Sequence, residues 1–532
     1  MAKRSKKKPA FGARLSTVLM WCAFGVLSTV LAVVMFLNLF CHGEKYACRK
    51  EFLLPNIVLL ILSTAIFIGL SFLLKKAKFK IFERRDYKII NIVSIVLFIG
   101  MIYIALNTFF QPGWDAGVVT GSARRSALMM FGNEQNTLAG KYFSHWPNNH
   151  FLLLIETLLF KIDNGFGIVS GDNGLMILVG FQCLLMVITG NVMFRIIHKK
   201  TKSKKFAWIG WGIFVILLAL SGWLLVPYTD VMAICFPVLI YYSYLKKEES
   251  KKHKIWWWVL IGALSYFGYK MKPTAIIMLI AILAGEFVFG IAKKEKGRLK
   301  EMAKGGAALL ASVVVSSFAF SMAFKLTKVE VDNNYNMGVL HMLMMGLNKE
   351  SNGVWSESDV YISEHFQDDA AGRKAAQKEE IAKRLSEFGF GGLLEHGKRK
   401  ALTIFNDGTF AWGNEGNFYA ITYPLRNEKM GAFLRDVTYH TGEKYKVKAT
   451  VQQAVWLFVL LFSALGILLK KDKNLTILII SLVGIILFNF LFEARARYLF
   501  VFAPVFIIVA TFVLQNVTER LATFKWPLKK IK

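Results

Sequence analysis

Five cysteines in 532 residues are too few for a disulfide framework, and no two of them form a C-x-x-C pair. Charged residues make up 19% of the chain, fewer than a soluble protein of this length carries. There is no G-x-x-x-x-G-K-[ST] phosphate loop, no H-E-x-x-H and no G-x-S-x-G. P-loop nucleotide chemistry, zinc peptidases and α/β-hydrolases therefore lack their marks. No fixed-period repeat occurs, and nothing is of low complexity beyond the basic termini.

What remains is apolar. Hydrophobic residues make up 55% of the chain, with 45 Phe and 13 Trp, and the mean hydropathy is +0.44. Apolar runs of 17 to 28 residues recur, each long enough to cross ~30 Å of hydrocarbon as a helix. The fold class is an all-α polytopic membrane protein. Spans are expected near 15–40, 52–74, 89–110, 174–197, 206–227, 229–245, 255–270, 274–292, 305–325, 451–469, 474–492 and 498–515. The run at 149–162 is short and reads as a re-entrant or interfacial helix.

The net charge of +31 invites a nucleic-acid reading, which its distribution argues against. Seven short segments (1–14, 75–88, 198–205, 246–254, 293–304, 470–473 and 516–532) hold 37 of the 66 Lys and Arg but 8 of the 35 acids. Their net of +29 is nearly the whole excess. Short basic loops mark the cytoplasmic face and meet anionic lipid there, whereas a nucleic-acid surface concentrates its charge on one folded domain. Twelve spans with these loops inside put both termini in the cytoplasm. Met1 to Arg14 leads into an apolar run with no A-x-A cleavage signal and reads as a retained anchor. Cys22, Cys183 and Cys235 lie in apolar runs as packing residues; Cys41 and Cys48 share one outer loop, where pairing stays open.

This topology divides the chain into 1–110, with the basic tail and three spans; a first outer loop, 111–173; a bundle, 174–325; a large outer segment, 326–450; and the last spans with a basic tail, 451–532. The first loop has an amphipathic stretch from Ser122 to Gly132. In the second segment Asp368 to Phe388 has helical periodicity with dense charge, and Asp407-Gly408 and Asn414 to Asn417 are turn signals.

Polar groups then gather at the outer interface. Asp115 follows the third span. Lys141, His145, Asn148 and Asn149 sit where the chain returns to the membrane, and Asp230 caps a hairpin between two spans. Lys270 and Lys272 cap the next hairpin, and Glu493, Arg495 and Arg497 end the eleventh span. Each has a plainer reading. Asp115 serves as a turn residue, Asp230 as a helix cap, the lysines as snorkelling side chains, the arginines as interface anchors, and His145 or His341 as structural histidines. Their common side favours function, since ionisable groups at membrane depth are costly. An acid beside several cations suits sugar transfer from a polyprenyl-phosphate donor. The cations hold the charge left on phosphate, and a carboxylate, best placed at Asp115, takes the acceptor proton.

The motifs QPGWDAG (111–117), YFSHWPNNHF (142–151), HMLMMGLNKESNGVWSESD (341–359), FNDGTFAWGNEG (405–416) and EARARYLFVFAP (493–504) resemble those of the GT-C superfamily of glycosyltransferases. The resemblance, over roughly 100–515, is to bacterial relatives of the dolichyl-phosphate-mannose protein mannosyltransferases (glycosyltransferase family 39). Within them it is closest to the Gram-positive subgroup that includes the exosortase-G-associated glycosyltransferases. It implies inverting transfer from a polyprenyl-phosphate sugar, with Asp115 near the base role and Arg495 and Arg497 on the lipid phosphate. It also implies donor or acceptor contact by the stretch from His341 to Asn348. Asp115 is followed by Ala116 where the protein mannosyltransferases carry Asp-Glu, and two extra spans precede the loop, so protein is not singled out as acceptor. Teichoic acid, surface polysaccharide and glycolipid stay open as acceptors.

The expectation is thus a glycosyltransferase of the bacterial plasma membrane with an extracytoplasmic active site. Its partners would be membrane lipid, the polyprenyl-phosphate sugar and an envelope glycan or other acceptor, with no nucleic acid. No cofactor is expected, although a divalent metal is left open. The rivals are a transporter or flippase of lipid-linked sugar, which would favour mid-bilayer charges, broken helices and repeats, and a non-catalytic scaffold for envelope assembly.

Overall fold

The computed structural model describes residues 11–41, 52–76, 86–129, 133–166, 174–292, 298–366, 368–415 and 419–523. The expected basic start from Met1 to Ala10, the end of the amphipathic stretch at Gly132 and any pairing of Cys41 with Cys48 fall outside them.

The fold is nearly all helical because a helix satisfies its own backbone where no water can. The chain opens with α1 (Phe11–Phe40), α2 (Asn56–Lys76) and α3 (Asp86–Thr108). A short strand β1 (Phe110–Pro112) leads into α4 (Trp114–Leu128), α5 (Asn133–His145) and α6 (His150–Phe166). Next come α7 (Leu175–Thr201), α8 (Lys204–Phe214), α9 (Thr229–Met232), α10 (Cys235–Glu249), α11 (Lys254–Met271), α12 (Ile276–Ala292) and α13 (Arg298–Phe324). The long segment after them holds α14 (Gly338–Gly346), α15 (Glu357–Glu364), α16 (Ala370–Phe405), α17 (Trp412–Glu415), the strand β2 (Tyr419–Thr422) and α18 (Glu428–Thr438). The helices α19 (Tyr445–Ala464), α20 (Lys473–Leu491) and α21 (Ala503–Thr523) close the chain.

Among the described residues nine helices are long and apolar enough to cross a membrane. Among the described residues α8 with the irregular turns after it, α9 with α10, and the Trp- and Tyr-rich α11 run between the same two ends as those nine. At one end the described parts of four basic loops come together: Lys199 pairs with Glu249 (2.8 Å), Lys254 with Glu301 (2.6 Å) and Lys473 with Glu286 (2.7 Å). At the other end Asn38 of α1 donates to the Phe405 carbonyl (3.3 Å) and Arg435 of α18 to that of Asn107 (3.2 Å). α19 and α21 form the centre, packed around fully buried Trp456, whereas α2, α3 and α13 expose apolar flanks, as lipid-facing helices do.

The expected span 206–227 is not one regular helix. α8 stops at Phe214, widens through 215–219 and tightens again at 222–225. At Gly222 the Trp412 indole packs so close to the backbone that there is no room for a Cβ. The freed carbonyls are taken by amide side chains: Gln452 donates to Ile216 (3.0 Å) and Leu217 (3.3 Å), and Gln182 to Leu224 (3.0 Å). The expected span 229–245 is likewise split into α9 and α10, and the last span begins at Ala503 and not at 498. α6 is one unbroken helix whose His150 packs on Phe324, the end of α13, and whose Phe160 lies against Gly174, the start of α7. Both of its ends therefore sit at the same end of the bundle. The periodicity from Asp368 continues past Phe388 as the long α16, with Asp369 as its N-cap.

Two distant segments are tied by a strand pair. β1 runs antiparallel to β2, with Phe110 opposite Thr422 and Gln111 opposite Ile421. This fixes the start of α4 relative to the chain around Glu415.

Candidate functional site

α4 starts at a strained point. Trp114 has φ = 42°, a left-handed conformation that is rare for a bulky aromatic. The Arg497 guanidinium lies 4.9 Å from the Trp114 ring centre, 5.4 Å from that of Tyr228 and 5.5 Å from that of Tyr498. The next residue, half-buried Asp115, accepts from Tyr228 at 3.5 Å and from Tyr142, which itself accepts from Asn149 Nδ2 at 2.8 Å. Burial raises the Asp115 carboxyl above its ordinary value, opposed by the Tyr142 hydrogen bond and the charge of Arg497.

The cations have defined partners. Asp230, on α9 and 1% exposed, joins Lys272 to Arg497, whose Nη1 is 3.2 Å from Oδ2. Burial lowers the Lys272 ammonium to about 8, and Asp230 holds it up. Arg497 Nε is also 3.0 Å from Glu415 Oε2, and Arg495 reaches Glu415 (3.2 Å) and Glu493 (2.9 Å). Burial would raise Glu493, but Arg495, the Tyr498 hydroxyl and Arg497 outweigh it and hold the carboxyl below the usual range. Lys272 sits 4.3 Å from the Tyr498 ring centre. Lys270, by contrast, has no carboxylate partner among the described residues; Phe320 and Tyr266 flank it, their ring centres 5.0 and 5.9 Å away.

Beside this network lies a cavity of about 600 Å³ at the end of the bundle opposite the basic loops. One wall is Lys270, Lys272, Arg497 and Glu493; another is His145, Trp146 and Asn148; Met337, Val339, Met342, Phe488 and Phe492 make the rest largely apolar. A volume of this size accommodates a small-molecule ligand. Among the described residues no group of three or more His, Cys, Asp or Glu is arranged to hold a metal.

The thirteen residues singled out from the sequence separate here into layers. His145, Asn148, Lys270, Lys272, Glu493 and Arg497 line the cavity. Asp115, Asn149 and Asp230 stand one layer behind, with Tyr228 on the wall between Asp115 and the cavity. Arg495 faces the two glutamates. His341 packs behind Trp146, its ring centre 5.6 Å away; Nδ1 meets Ser363 (2.8 Å), and burial lowers the ring to about 4, so it is neutral. Lys141 is exposed on α5, one turn before His145. Asn348 is a turn residue: Oδ1 accepts from the amides of Glu350 and Ser351 (3.0 and 3.1 Å) and Nδ2 donates to Asp359 (3.0 Å).

Sequence reasoning missed Trp114, Tyr142, Tyr228, Glu415 and Tyr498. All but Tyr228 stand inside the motifs quoted above; Tyr228 precedes Asp230 by two positions, and nothing in an isolated tyrosine distinguishes it from a membrane-interface aromatic.

Compared with known proteins, the chain finds no match among curated sequences. A solved structure, the archaeal oligosaccharyltransferase AglB from Archaeoglobus fulgidus with an inhibitory peptide and a dolichol-phosphate, aligns at 12% identity with a TM-score of 0.40. That alignment covers 80% of this chain and 50% of the other, so this chain spans about half the length of that protein. A family profile described as a conserved hypothetical integral membrane protein matches residues 12–518, and the chain, multi-pass and nearly all helical among its described residues, belongs to that family.

Proposed function

We propose that the protein is a membrane glycosyltransferase that moves a sugar from a polyprenyl-phosphate donor to an extracytoplasmic acceptor in the bacterial envelope, with inversion and with Asp115 as general base. One observation carries the reading: Lys270, Lys272 and Arg497 line one cavity at the end of the bundle away from the basic loops, with Asp115 one layer behind them under the charge of Arg497. By the positive-inside rule the basic end is cytoplasmic, so the site faces outward, where nucleotide sugars are not supplied and the donor must be lipid-linked.

The acceptor hydroxyl oxygen attacks the anomeric carbon as the bond from that carbon to the phosphate oxygen breaks. The acceptor proton passes to the Tyr228 hydroxyl on the cavity wall as that hydroxyl gives its own proton to Asp115 behind it, whose raised affinity for a proton suits a base. The electron pair of the broken bond stays on the leaving phosphate, where Lys270, without a carboxylate of its own, supplies uncompensated positive charge, backed by Lys272 and Arg497. The apolar wall of Met337, Val339, Phe488 and Phe492 suits the first isoprene units of the lipid. The resemblance of the five motifs to the protein-mannosyltransferase-like glycosyltransferases supports the same reaction class. Teichoic acid, surface polysaccharide, glycolipid and protein are all chemically competent acceptors.

The test is a reconstituted assay with a panel of polyprenyl-phosphate sugars. The wild-type protein should consume one of them, and Asp115→Asn should insert and fold normally yet lose transfer. Undiminished transfer by the variant removes Asp115 from the mechanism, and no consumption of any donor removes the function.

A further inference from the structure

α16 carries a feature that the proposed chemistry does not use. Its first half, from Ala370, is rich in charge, and the helix then breaks at Gly389, whose φ of +56° and ψ of −176° are open only to glycine. Gly391 and Gly392 follow, and the break swings out large apolar side chains. Phe390 is 80% exposed and Leu394 is 61% exposed, with Leu385 and Leu393 exposed beside them. Four large exposed apolar side chains at one break in a helix call for an occupant.

The surroundings say which. Beyond the break α16 packs on two spanning helices: Gly397 approaches Phe490 of α20, and the Phe405 carbonyl accepts from Asn38 of α1. Those helices turn Leu487 and Leu491, and Phe36 and Phe40, outward at the same end of the bundle. The exposed elbow therefore continues the lipid-facing flank. One turn on, Glu395 pairs with Lys398 (3.3 Å) and Arg399 (3.4 Å), giving the charged edge that an interfacial helix presents to headgroups.

We propose that the elbow from Leu385 to Leu394 is a membrane-contact site, occupied by the lipid of the leaflet at the cavity end of the bundle and not by a protein. The contact is independent of the reaction proposed above. It bears on the cavity mechanically, because Lys400 on the same helix donates to the carbonyls of Gly346 (2.8 Å) and Phe492 (2.7 Å). Seating the elbow in lipid thus sets the depth of the chain around Glu493.

The test uses the full chain in nanodiscs of phosphatidylethanolamine and phosphatidylglycerol. Its native cysteines are replaced by serine, and a nitroxide is placed at Phe390→Cys, Leu394→Cys or, as a charged-half control, Glu379→Cys. Relative accessibility to oxygen over a water-soluble nickel chelate should be severalfold higher at 390 and 394 than at 379. A water-like ratio at 390 shows a solvated elbow and overturns the proposal; low accessibility to both reagents shows a protein cover and overturns it equally. Adding Gly389→Ala, which cannot hold the break, should lower the ratio at 390, and an unchanged ratio counts against the elbow as its cause.

Discussion

Replacing Asp230 with alanine leaves two buried cations, Lys272 and Arg497, facing one another across the space their shared carboxylate filled. Removing one partner of a buried pair costs about 3–5 kcal/mol, because the remaining charge stays desolvated. Here the upper part of that range applies at acid pH, since two cations lose their shared partner; Arg497 keeps Glu415 at 3.0 Å, and Lys272 keeps the charge of Glu493 as a lesser influence. Lys272 has an escape. Burial already brings it to about 8, and Asp230 is the foremost group holding it that high, so without Asp230 it sheds its proton at lower pH. A lysine whose folded pKa is depressed binds fewer protons folded than unfolded, so its contribution to stability rises with pH. The penalty of Asp230→Ala relative to wild type should therefore be largest on the acid side, shrink as pH approaches 8, and level off above it. Unfolding by detergent titration at about pH 6 and about pH 9, followed by tryptophan fluorescence, reads this difference. Adding Lys272→Met to Asp230→Ala should recover most of the loss. Wild-type stability for Asp230→Ala at the lower pH, or a penalty that grows with pH, refutes the reasoning.

Two further outcomes follow from the same geometry. Asp115 acts as a base only when ionised, so transfer should fall as pH drops through its raised pKa; Tyr142→Phe removes a hydrogen bond that lowers that pKa and should move the acid limb of the profile to higher pH, whereas an unmoved limb separates Tyr142 from the base. Gly222→Ala places a methyl group against the Trp412 indole and should lower stability by about 1–3 kcal/mol, measured as a shift in the unfolding midpoint.

The all-helical, many-pass character of the chain was legible because it rests on composition over long windows. Hydropathy carries no angular information, however. It could gather Asp115, Asp230, Lys272 and Arg497 at one end but could not say that Asp230 bridges the two cations while Asp115 turns to two tyrosines. The break after Phe214 was equally hidden, because Val215 to Leu225 is as apolar as any span and the groups that meet its irregular backbone, Trp412, Gln452 and Gln182, are far away in the chain. Asn348 shows the opposite failure: a polar residue in a suggestive motif spends its donors and acceptors on its own turn.

That interruption can be set beside the broken helices of transporters. In transporters, unwound helices leave carbonyl oxygens facing the permeation route, where they hold coupling ions. Here the Gln452 and Gln182 amides cap the carbonyls of Ile216, Leu217 and Leu224, so the gap is plugged by the protein's own side chains. The opening in the helix is masonry: side chains from α19 and α7 brace the unwound backbone at Ile216, Leu217 and Leu224.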